Sequence, residues 1–510
     1  MMKHLAPLLF LLLLAFPATS HAQVEAFAET QASASTGEHT PLWLNANKYG
    51  LSSLEKFNGY IRVGAFRPLY VDSTRRWGYS FGVDLAVAAN YTSKFVIQQA
   101  YGEVRWLKGL LTVGWKEQPM QLKNNKLSSG SQTLGINARP VPTVRLSLPY
   151  YWDIPLTRKW IGIKGHIAYG LQTDDKWQRD FTQSIQKHTK HAKLHTKAGY
   201  LRIGRPDKPV TVELGLEMAC QFGGTSYNDP TNPVPVIKNE DGLKAMAKAF
   251  IPSGGDAGEG IYENKAGNHL GSYLMRINFD YDKWYLGLYA DHYFEDHSQM
   301  FFLDYDGYGQ GAEFNEWKTN RYFLYDLKDI MLGAELKLRN FRWLNDIVVE
   351  YIYTKYQSGP VYHDRTLHLS DHIGGLDNYY NHYIHTGWQH WGQVMGNPLY
   401  RSPLYNTDNT IRTLNNRFWA WHLGLSGTPT DQLHYRFLAT WQRGWGTYDV
   451  PLPDVQSNLS LMAEAEYCFC EFSNLPGWSV KAAIGWDHGQ LLGNNFGGQL
   501  TIKKQFNLWD

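Results

Sequence analysis

SYLMRINFDY, residues 272–281, is the stretch of the sequence that decides the fold. Successive side chains of an extended strand point to opposite faces, so alternating polarity gives a strand one apolar face and one polar face. Here only Leu274 breaks the alternation. The apolar face carries Tyr273, Met275, Ile277, Phe279 and Tyr281, and the polar face carries Ser272, Arg276, Asn278 and Asp280.

The same alternation recurs at residues 212–218, 433–442 and 478–487. Working outward from these segments, we predict an all-β fold of about 18 antiparallel strands. The predicted strands are residues 24–33, 58–70, 77–91, 94–106, 110–117, 144–154, 160–173, 195–204, 210–223, 272–281, 284–291, 330–339, 345–356, 417–427, 433–446, 456–469, 477–487 and 495–506.

The connections between these strands fall into two classes that alternate strictly along the chain. Tight turns such as 108–109, 205–209, 282–283 and 428–432 alternate with long segments near 118–143, 224–271, 292–329 and 357–416. A soluble sandwich or propeller has no reason to separate short connections from long ones. Outer-membrane barrels do so, because their periplasmic turns are short and their outward loops are long. We therefore predict a transmembrane antiparallel β-barrel over residues 23–510, apolar outside and polar inside.

The first residues predict export. Lys3 precedes an apolar run over residues 5–16, and Ser20-His21-Ala22 gives a small-residue cleavage pattern. The run is too short for a spanning helix, so we expect residues 1–22 to be a cleaved signal peptide. The net charge of +2 gives no reason to expect a nucleic-acid partner. The aromatic content of 15% is typical of barrels with aromatic girdles at both membrane interfaces.

The cysteines are too few for a disulfide framework. Cys468 and Cys470 would share one face of a strand, where a bridge would be strained, and Cys220 is distant in sequence. We interpret all three as small apolar residues and expect no redox or metal role for them.

Several ordered stretches carry a family resemblance. They are Pro41-Leu42-Trp43-Leu44 with Asn45, Ala46 and Asn47; residues 128–131 with Asn137-Ala138-Arg139-Pro140 and Pro142; residues 291–296; Asp377-Asn378-Tyr379-Tyr380-Asn381 with Gly387-Trp388; and Gly396-Asn397-Pro398-Leu399. In this set the chain resembles the Wzi family of capsule assembly proteins in its Bacteroidetes form. The resemblance implies an outer-membrane barrel with a partly plugged lumen that attaches or organises capsular polysaccharide without catalysis.

The segment 357–416 has the composition of a sugar-binding surface. Flat aromatic rings suit the apolar side of a pyranose, and amides, carboxylates and guanidinium groups suit its hydroxyl and uronate groups. The predicted glycan-binding residues are Asp377, Asn378, Tyr379, Tyr380, Asn381, Trp388, Trp391 and Arg401. The alternative is a loop packed on itself, in which the same aromatic side chains form a core.

Histidines are also concentrated in this part of the chain. Imidazole and carboxylate groups could bind a divalent ion, but no ligand spacing typical of a metal site appears, so we predict no metal and no cofactor. The residues concerned are His292, His297, His363, His368, His372, His382, His385 and His390, with Asp291, Glu295 and Asp296.

Charges of both signs are predicted on the inner wall. They could create a transverse field in a channel or neutralise one another as packed ion pairs, and we favour ion pairs. The residues are Glu213, Glu217, Glu350 and Asp487, with Arg202, Arg276, Arg436 and Lys481.

The function predicted from the sequence is a non-enzymatic barrel, favoured as a monomer, that binds capsular or other surface polysaccharide in contact with outer-membrane lipid. An outer-membrane porin or specific channel is the alternative. An outer-membrane hydrolase is a further one, because a serine, a histidine and a carboxylate spread over several strands would leave no short motif.

Overall fold

The computed structural model describes residues 24–72, 75–228, 235–251, 267–295, 328–357, 361–363, 372–374, 377–469 and 475–507. The predicted signal peptide and parts of the long segments predicted near 224–271, 292–329 and 357–416 lie outside these ranges. No helix within the ranges is long and apolar enough to cross a bilayer.

A single sheet of 18 antiparallel strands dominates the structure. In chain order the strands are β1 (Glu25–Thr36), β2 (Phe57–Arg67), β3 (Trp77–Ala89), β4 (Phe95–Trp106), β5 (Gly109–Trp115), β6 (Thr143–Asp153), β7 (Ile161–Leu171), β8 (Lys193–Ile203), β9 (Val210–Phe222), β10 (Asn268–Asp280), β11 (Trp284–Glu295), β12 (Ile330–Leu338), β13 (Asp346–Tyr353), β14 (Phe418–Gly427), β15 (Leu433–Gly446), β16 (Pro451–Cys468), β17 (Trp478–Gly489) and β18 (Asn495–Asn507). Each strand pairs with its neighbours along the chain, and β1 pairs with both β2 and β18. The sheet is therefore a closed barrel without a free edge.

This architecture confirms the predicted all-β barrel, and every predicted strand overlaps an observed one. The largest differences lie at the ends of three strands: β10 begins at Asn268, β11 continues to Glu295 and β16 begins at Pro451. These ends pair with neighbouring strands, as Leu270 does with Glu295. Alternating polarity is required only where one face meets lipid, so it does not mark strand ends that extend further.

The two faces of the barrel have the predicted polarity. Outward-facing Met275 and Ile484 are 42% and 57% exposed, whereas inward-facing Arg276, Glu350 and Asp487 are at most 5% exposed. A soluble protein places its apolar side chains inside, so this reversed arrangement marks a surface made for lipid.

The connections distinguish the two ends of the barrel. At one end, called the turn end, lie both termini of the barrel and the connections 68–76, 107–108, 154–160, 204–209, 281–283, 339–345, 428–432 and 469–477. At the other, called the loop end, lie 37–56, 90–94, 116–142, 172–192, 223–267, 296–329, 354–417, 447–450 and 490–494. All the long segments thus leave from one end. The expected strict alternation of short and long was wrong, because three short connections, 90–94, 447–450 and 490–494, also lie there.

The first long connection, 37–56, enters the interior of the barrel through helix α1 (Leu42–Asn45). The backbone amide of Leu42 donates to Asp487 Oδ2 on the inner wall over 2.9 Å, and Trp43 Nε1 donates to Thr440 Oγ1 over 3.1 Å. The Trp43 ring, 2% exposed, is therefore enclosed by the barrel.

Connection 116–142 also packs inside. Glu350 Oε1 on β13 accepts from Ser128 Oγ over 2.6 Å, and Glu350 Oε2 accepts from the Ser129 amide over 2.8 Å. Lys123 Nζ lies 2.5 Å from Asp291 Oδ2 on β11. Carboxylates of the inner wall thus hold this segment at two separate points.

The remaining elements are short. Helix α2 (Asp175–Phe181) lies in connection 172–192, and helix α3 (Leu243–Phe250) packs Ala245 and Ala249 against Cys220 and Phe222 of β9. Cys220 Sγ lies 3.4 Å from His269 Nε2, Cys468 is in no disulfide bond, and Cys470 lies outside the described residues. Single 3₁₀ turns occur at Leu69–Asp72 and Pro403–Tyr405, and short strands occur at His188–Lys190, Thr225–Tyr227, Val236–Lys238, Val361–His363, His372–Gly374, Gln389–His390 and Gln393–Val394.

Candidate functional site

Three of the predicted glycan-binding residues lie in the core of the barrel. Tyr379, Tyr380 and Trp388 are each at most 1% exposed. The Tyr380 ring stacks on Tyr400 with centroids 4.0 Å apart, and Tyr293 meets Tyr379 edge-on at 4.6 Å. Their polar atoms are also engaged, since Trp388 Nε1 donates to the Thr133 carbonyl over 2.9 Å. In this structure the rings present no face to a sugar.

Asp377, Asn378 and Asn381 lie at the loop end beside the turn between β15 and β16. Asn378 Nδ2 donates to Asp449 Oδ2 over 2.7 Å, and Asn381 Nδ2 donates to the Thr413 carbonyl over 2.9 Å. All three predicted residues are partly exposed, so they present polar atoms at this end of the barrel.

Trp391 occupies a separate, partly exposed place at the loop end. Its backbone has φ of 55°, and its amide donates to Asp174 Oδ2 over 3.0 Å. The guanidinium carbon of Arg139 lies 4.6 Å from the centroid of the Trp391 ring, a cation–π contact. Arg139 donates in turn to Ser93 Oγ over 2.8 Å and to Thr92 Oγ1 over 2.7 Å. We call Trp391, Arg139, Thr92 and Ser93 the Trp391 surface.

The Arg139 side chain keeps its charge in this position. Burial lowers the pKa of Arg139 to about 10, which leaves the guanidinium protonated at neutral pH. Arg139 is not among the predicted glycan-binding residues, because it is 252 positions from Trp391 and only the folded chain brings the two together.

Arg401 lies apart from both groups. Its Nη2 donates to the carbonyl of Tyr405 over 3.0 Å, and burial lowers its pKa. The structure therefore distributes the eight predicted residues over four places: the core, the Asp449 turn, the Trp391 surface and the Tyr405 turn.

The histidines bond mainly to the backbone. His292 Nδ1 lies 2.7 Å from the Asp329 carbonyl, and His390 Nδ1 lies 2.9 Å from the Arg139 carbonyl. Burial lowers the pKa of His385 to about 3, so its ring is neutral. Within the described ranges, no group of three His, Cys, Asp or Glu side chains is arranged to hold a metal ion. The side chains of four further predicted histidines are not described by the structure: His297, His363, His368 and His372.

Charges on the inner wall form local ion pairs, although the partners differ from the eight residues named from the sequence. Arg276 pairs with Glu335, and Arg436 Nε lies 2.8 Å from Glu464 Oε1, its partner in strand register. Glu350 and Asp487 bond to the interior segments instead. Register places Glu464 opposite Arg436, whereas Arg276 reaches Glu335 across the intervening strand β11, and alternation within one strand reveals neither partner.

A cavity of about 720 Å³ opens at the turn end, with residues 122–126 as one wall. A smaller cavity of about 130 Å³ lies between connection 116–142 and strands β6–β9. Lys164 Nζ, which lines the larger cavity, donates to Gln121 Oε1, which lines the smaller one, over 2.8 Å. The hydrogen bond between Lys164 and Gln121 therefore lies between the two cavities.

No family model and no curated protein matches the chain. Among solved structures, it is similar to Wzi of Escherichia coli, described as an outer membrane protein involved in group 1 capsule assembly and a carbohydrate-binding β-barrel. The identity is 12%, the match covers 94% of this chain and 85% of Wzi, and the TM-score is 0.56. OprD of Pseudomonas aeruginosa matches at 8% identity and a TM-score of 0.43, covering 96% of each chain.

The chain is an outer-membrane β-barrel. It crosses the membrane many times, with its apolar face toward lipid and no open sheet edge. The match with Wzi shows that the two proteins share a barrel fold.

The outer-membrane barrel also carries the two expected aromatic girdles. Exposed aromatic side chains cluster near both ends of the strands, as expected at the two membrane interfaces. They are Phe57, Phe95, Trp421, Trp441, Trp486 and Phe496 near the loop end, and Trp77, Trp106, Trp152, Trp160, Trp284, Trp478 and Phe506 near the turn end.

Proposed function

We propose that this barrel binds and organises capsular or other surface polysaccharide as a lectin-like, non-enzymatic protein. The observation that carries the proposal is the likeness in fold, over 94% of the chain, to a barrel described as carbohydrate-binding and involved in capsule assembly. The ordered set of sequence motifs that resembles the Wzi family supports the same function independently of the fold.

In this proposal the loop end faces the cell exterior, since outward loops are the long ones. Trp391 would stack on the apolar side of one sugar ring, and the polar groups of Asp377, Asn378, Asn381 and Arg401 would bond hydroxyl or carboxylate groups of other sugars along the polymer. Tyr379, Tyr380 and Trp388 would act indirectly, by holding segment 377–417 in shape.

The packed interior also supports an anchor rather than an open diffusion pore. Connections 37–56 and 116–142 both bond to the inner wall, and residues from segment 377–417 fill the space beside them. A channel needs a continuous polar path of adequate width, and the packed segments narrow the path through this barrel.

Glycan binding by Trp391 can be tested directly. Purified barrel in detergent is titrated onto immobilised capsule from the host strain, and we expect Trp391→Ala to weaken binding about tenfold, the loss of roughly one stacking contact. Trp343→Ala is the matched control: this tryptophan is 67% exposed but lies at the turn end, so its loss should leave affinity unchanged. Equal affinity for Trp391→Ala and wild type would exclude the Trp391 surface, and no binding by the wild-type protein would contradict the function.

A further inference from the structure

Three basic residues lie together on the outer face of β13–β15 at the loop end. Arg443 is paired with Trp419 in the sheet register. One row further from the membrane, Arg417 Nε donates to the Lys355 carbonyl over 3.1 Å, and the Trp445 amide donates to the Arg417 carbonyl over 2.8 Å. Lys355, Arg417 and Arg443 therefore occupy adjacent rows of one continuous surface.

This surface continues into the lipid-facing wall. The row toward the membrane centre consists of Tyr351, Trp421 and Trp441, and the two tryptophans are 50% and 44% exposed. Side chains two positions apart in a strand share a face, so the three cations point the same way as this aromatic row. They lie immediately above the girdle that marks the membrane interface.

Among the described residues, the cations of the cluster contact aromatic rings rather than acids. In the part of the chain that the structure describes, no carboxylate lies within ion-pair distance of Lys355, Arg417 or Arg443, although nearby Arg412 lies 3.6 Å from Asp449. The cations contact aromatic rings instead: Lys355 Nζ is 4.3 Å from the Trp445 centroid, and Arg417 is 3.6 Å from that of Tyr448. Burial, and then repulsion from Arg417 and Arg443, lower the pKa of Lys355. Like charges held this close favour an anion between them.

We propose that Lys355, Arg417 and Arg443 bind the phosphate groups of a phosphorylated lipid in the outer leaflet. Guanidinium groups bind phosphate in bidentate fashion, and basic side chains at the membrane interface recognise anionic lipid headgroups. We infer a lipid as the ligand because the cations lie on the outer wall of the barrel, on the same face of the strands as the lipid-facing aromatic row. Rings of Trp421 and Trp441, in the row toward the membrane centre, would meet the upper part of the acyl chains while the cations hold the headgroup.

The test compares the triple variant Lys355→Gln/Arg417→Gln/Arg443→Gln with a control that loses equal charge at the turn end, Lys108→Gln/Lys208→Gln/Lys283→Gln, whose residues are all exposed. Both are purified from outer membranes in mild detergent, and native mass spectrometry measures retained lipid. Diphosphorylated lipid A, enzymatically dephosphorylated lipid A and inorganic phosphate are then added separately. We expect wild type and control to retain the diphosphorylated lipid, and the triple variant to lose about tenfold or more in affinity.

Equal retention by the triple variant, or equal binding of dephosphorylated lipid, would overturn the proposal. Displacement of the lipid by millimolar inorganic phosphate would assign the cluster to free anions instead. If the triple variant does not show the heat-modifiable gel migration of a folded barrel, the single variants Arg443→Gln and Arg417→Lys are used. Arg443→Gln should weaken lipid binding more than Arg417→Lys, which keeps its charge, and the reverse order would contradict the proposed contacts.

Discussion

At the scale of single residues, Asp329 fixes the connection that follows β13 to the wall. Its carboxylate accepts the amides of Tyr356 over 2.9 Å and Gln357 over 2.6 Å, and the hydroxyl of Tyr379 over 2.9 Å. Burial raises the pKa of Asp329 from 3.8 to about 7, and these hydrogen bonds offset only part of that rise. The group therefore titrates near neutral pH in the folded protein.

This titration predicts a pH dependence of local stability. An acid whose folded-state pKa is raised binds its proton more tightly in the folded state. The stabilisation of the folded segment by protonated Asp329 is therefore complete below about pH 4 and is lost as pH rises through about 7. We expect hydrogen exchange at the Tyr356 and Gln357 amides, corrected for intrinsic rates, to be about tenfold faster at pH 8 than at pH 6. Asp329→Asn should remove the difference, and protection that increases with pH would show the opposite sign of coupling.

The predicted site shows what sequence can and cannot resolve at this scale. Tyr379, Tyr380 and Trp388 have the composition of a sugar platform, but the same rings suit a core, and only the contacts with Tyr400 and Thr133 decide their burial. Trp391 remained partly exposed because Arg139 and Asp174, both distant in sequence, hold it at the surface.

At the scale of elements, connection 116–142 is the segment that most directly obstructs the interior. Ser128 and Ser129 bond to Glu350, Lys123 pairs with Asp291, and residues 122–126 border the cavity at the turn end. Because these contacts join the segment to side chains of the inner wall, and the strands close the barrel through their own backbone pairing, the segment can be removed while the sheet stays intact.

We expect replacement of residues 120–138 by a short Gly-Ser linker to convert a silent barrel into a conducting one. Removing the segment would join the cavities of about 130 Å³ and 720 Å³ across the Lys164–Gln121 contact. Single-channel recording in planar bilayers measures this, with Trp343→Ala, at an exposed site of the turn end, as a control that leaves the segment in place. Stable conductance by the wild-type protein would favour a porin or specific channel and contradict an anchor.

Strands were predictable because lipid on one side and a polar interior on the other impose a local pattern, and SYLMRINFDY shows it within ten residues. The positions of the interior segments were not predictable, because their hydrogen-bond partners are far away in sequence: Leu42 bonds to Asp487 and Trp388 to Thr133. The short connections at the loop end are already implied by the predicted strand bounds, such as 77–91 followed by 94–106, so only the rule of strict alternation between short and long was wrong.

At the scale of the whole molecule, the barrel separates three chemical environments. Its wall faces lipid, its interior is held by ion pairs and hydrogen bonds, and its loop end carries the Trp391 surface and the cation cluster of Lys355, Arg417 and Arg443. A glycan-binding face and a lipid-binding wall on one rigid barrel would couple a polysaccharide mechanically to the outer leaflet.

That coupling predicts how capsule retention responds to weakened binding. A repeating polymer contacts many barrels at once, so each weak contact adds through effective concentration and a modest loss per site is amplified along the chain. We therefore expect cells carrying Trp391→Ala to shed capsule into the medium nearly as completely as cells lacking the gene, although the isolated protein loses only about tenfold in affinity. Capsule on washed cells and in the supernatant is quantified at equal barrel abundance, with Trp343→Ala as the control that should retain it. Unchanged retention in the gene deletion would show that this barrel does not hold the polysaccharide, whatever it binds in detergent.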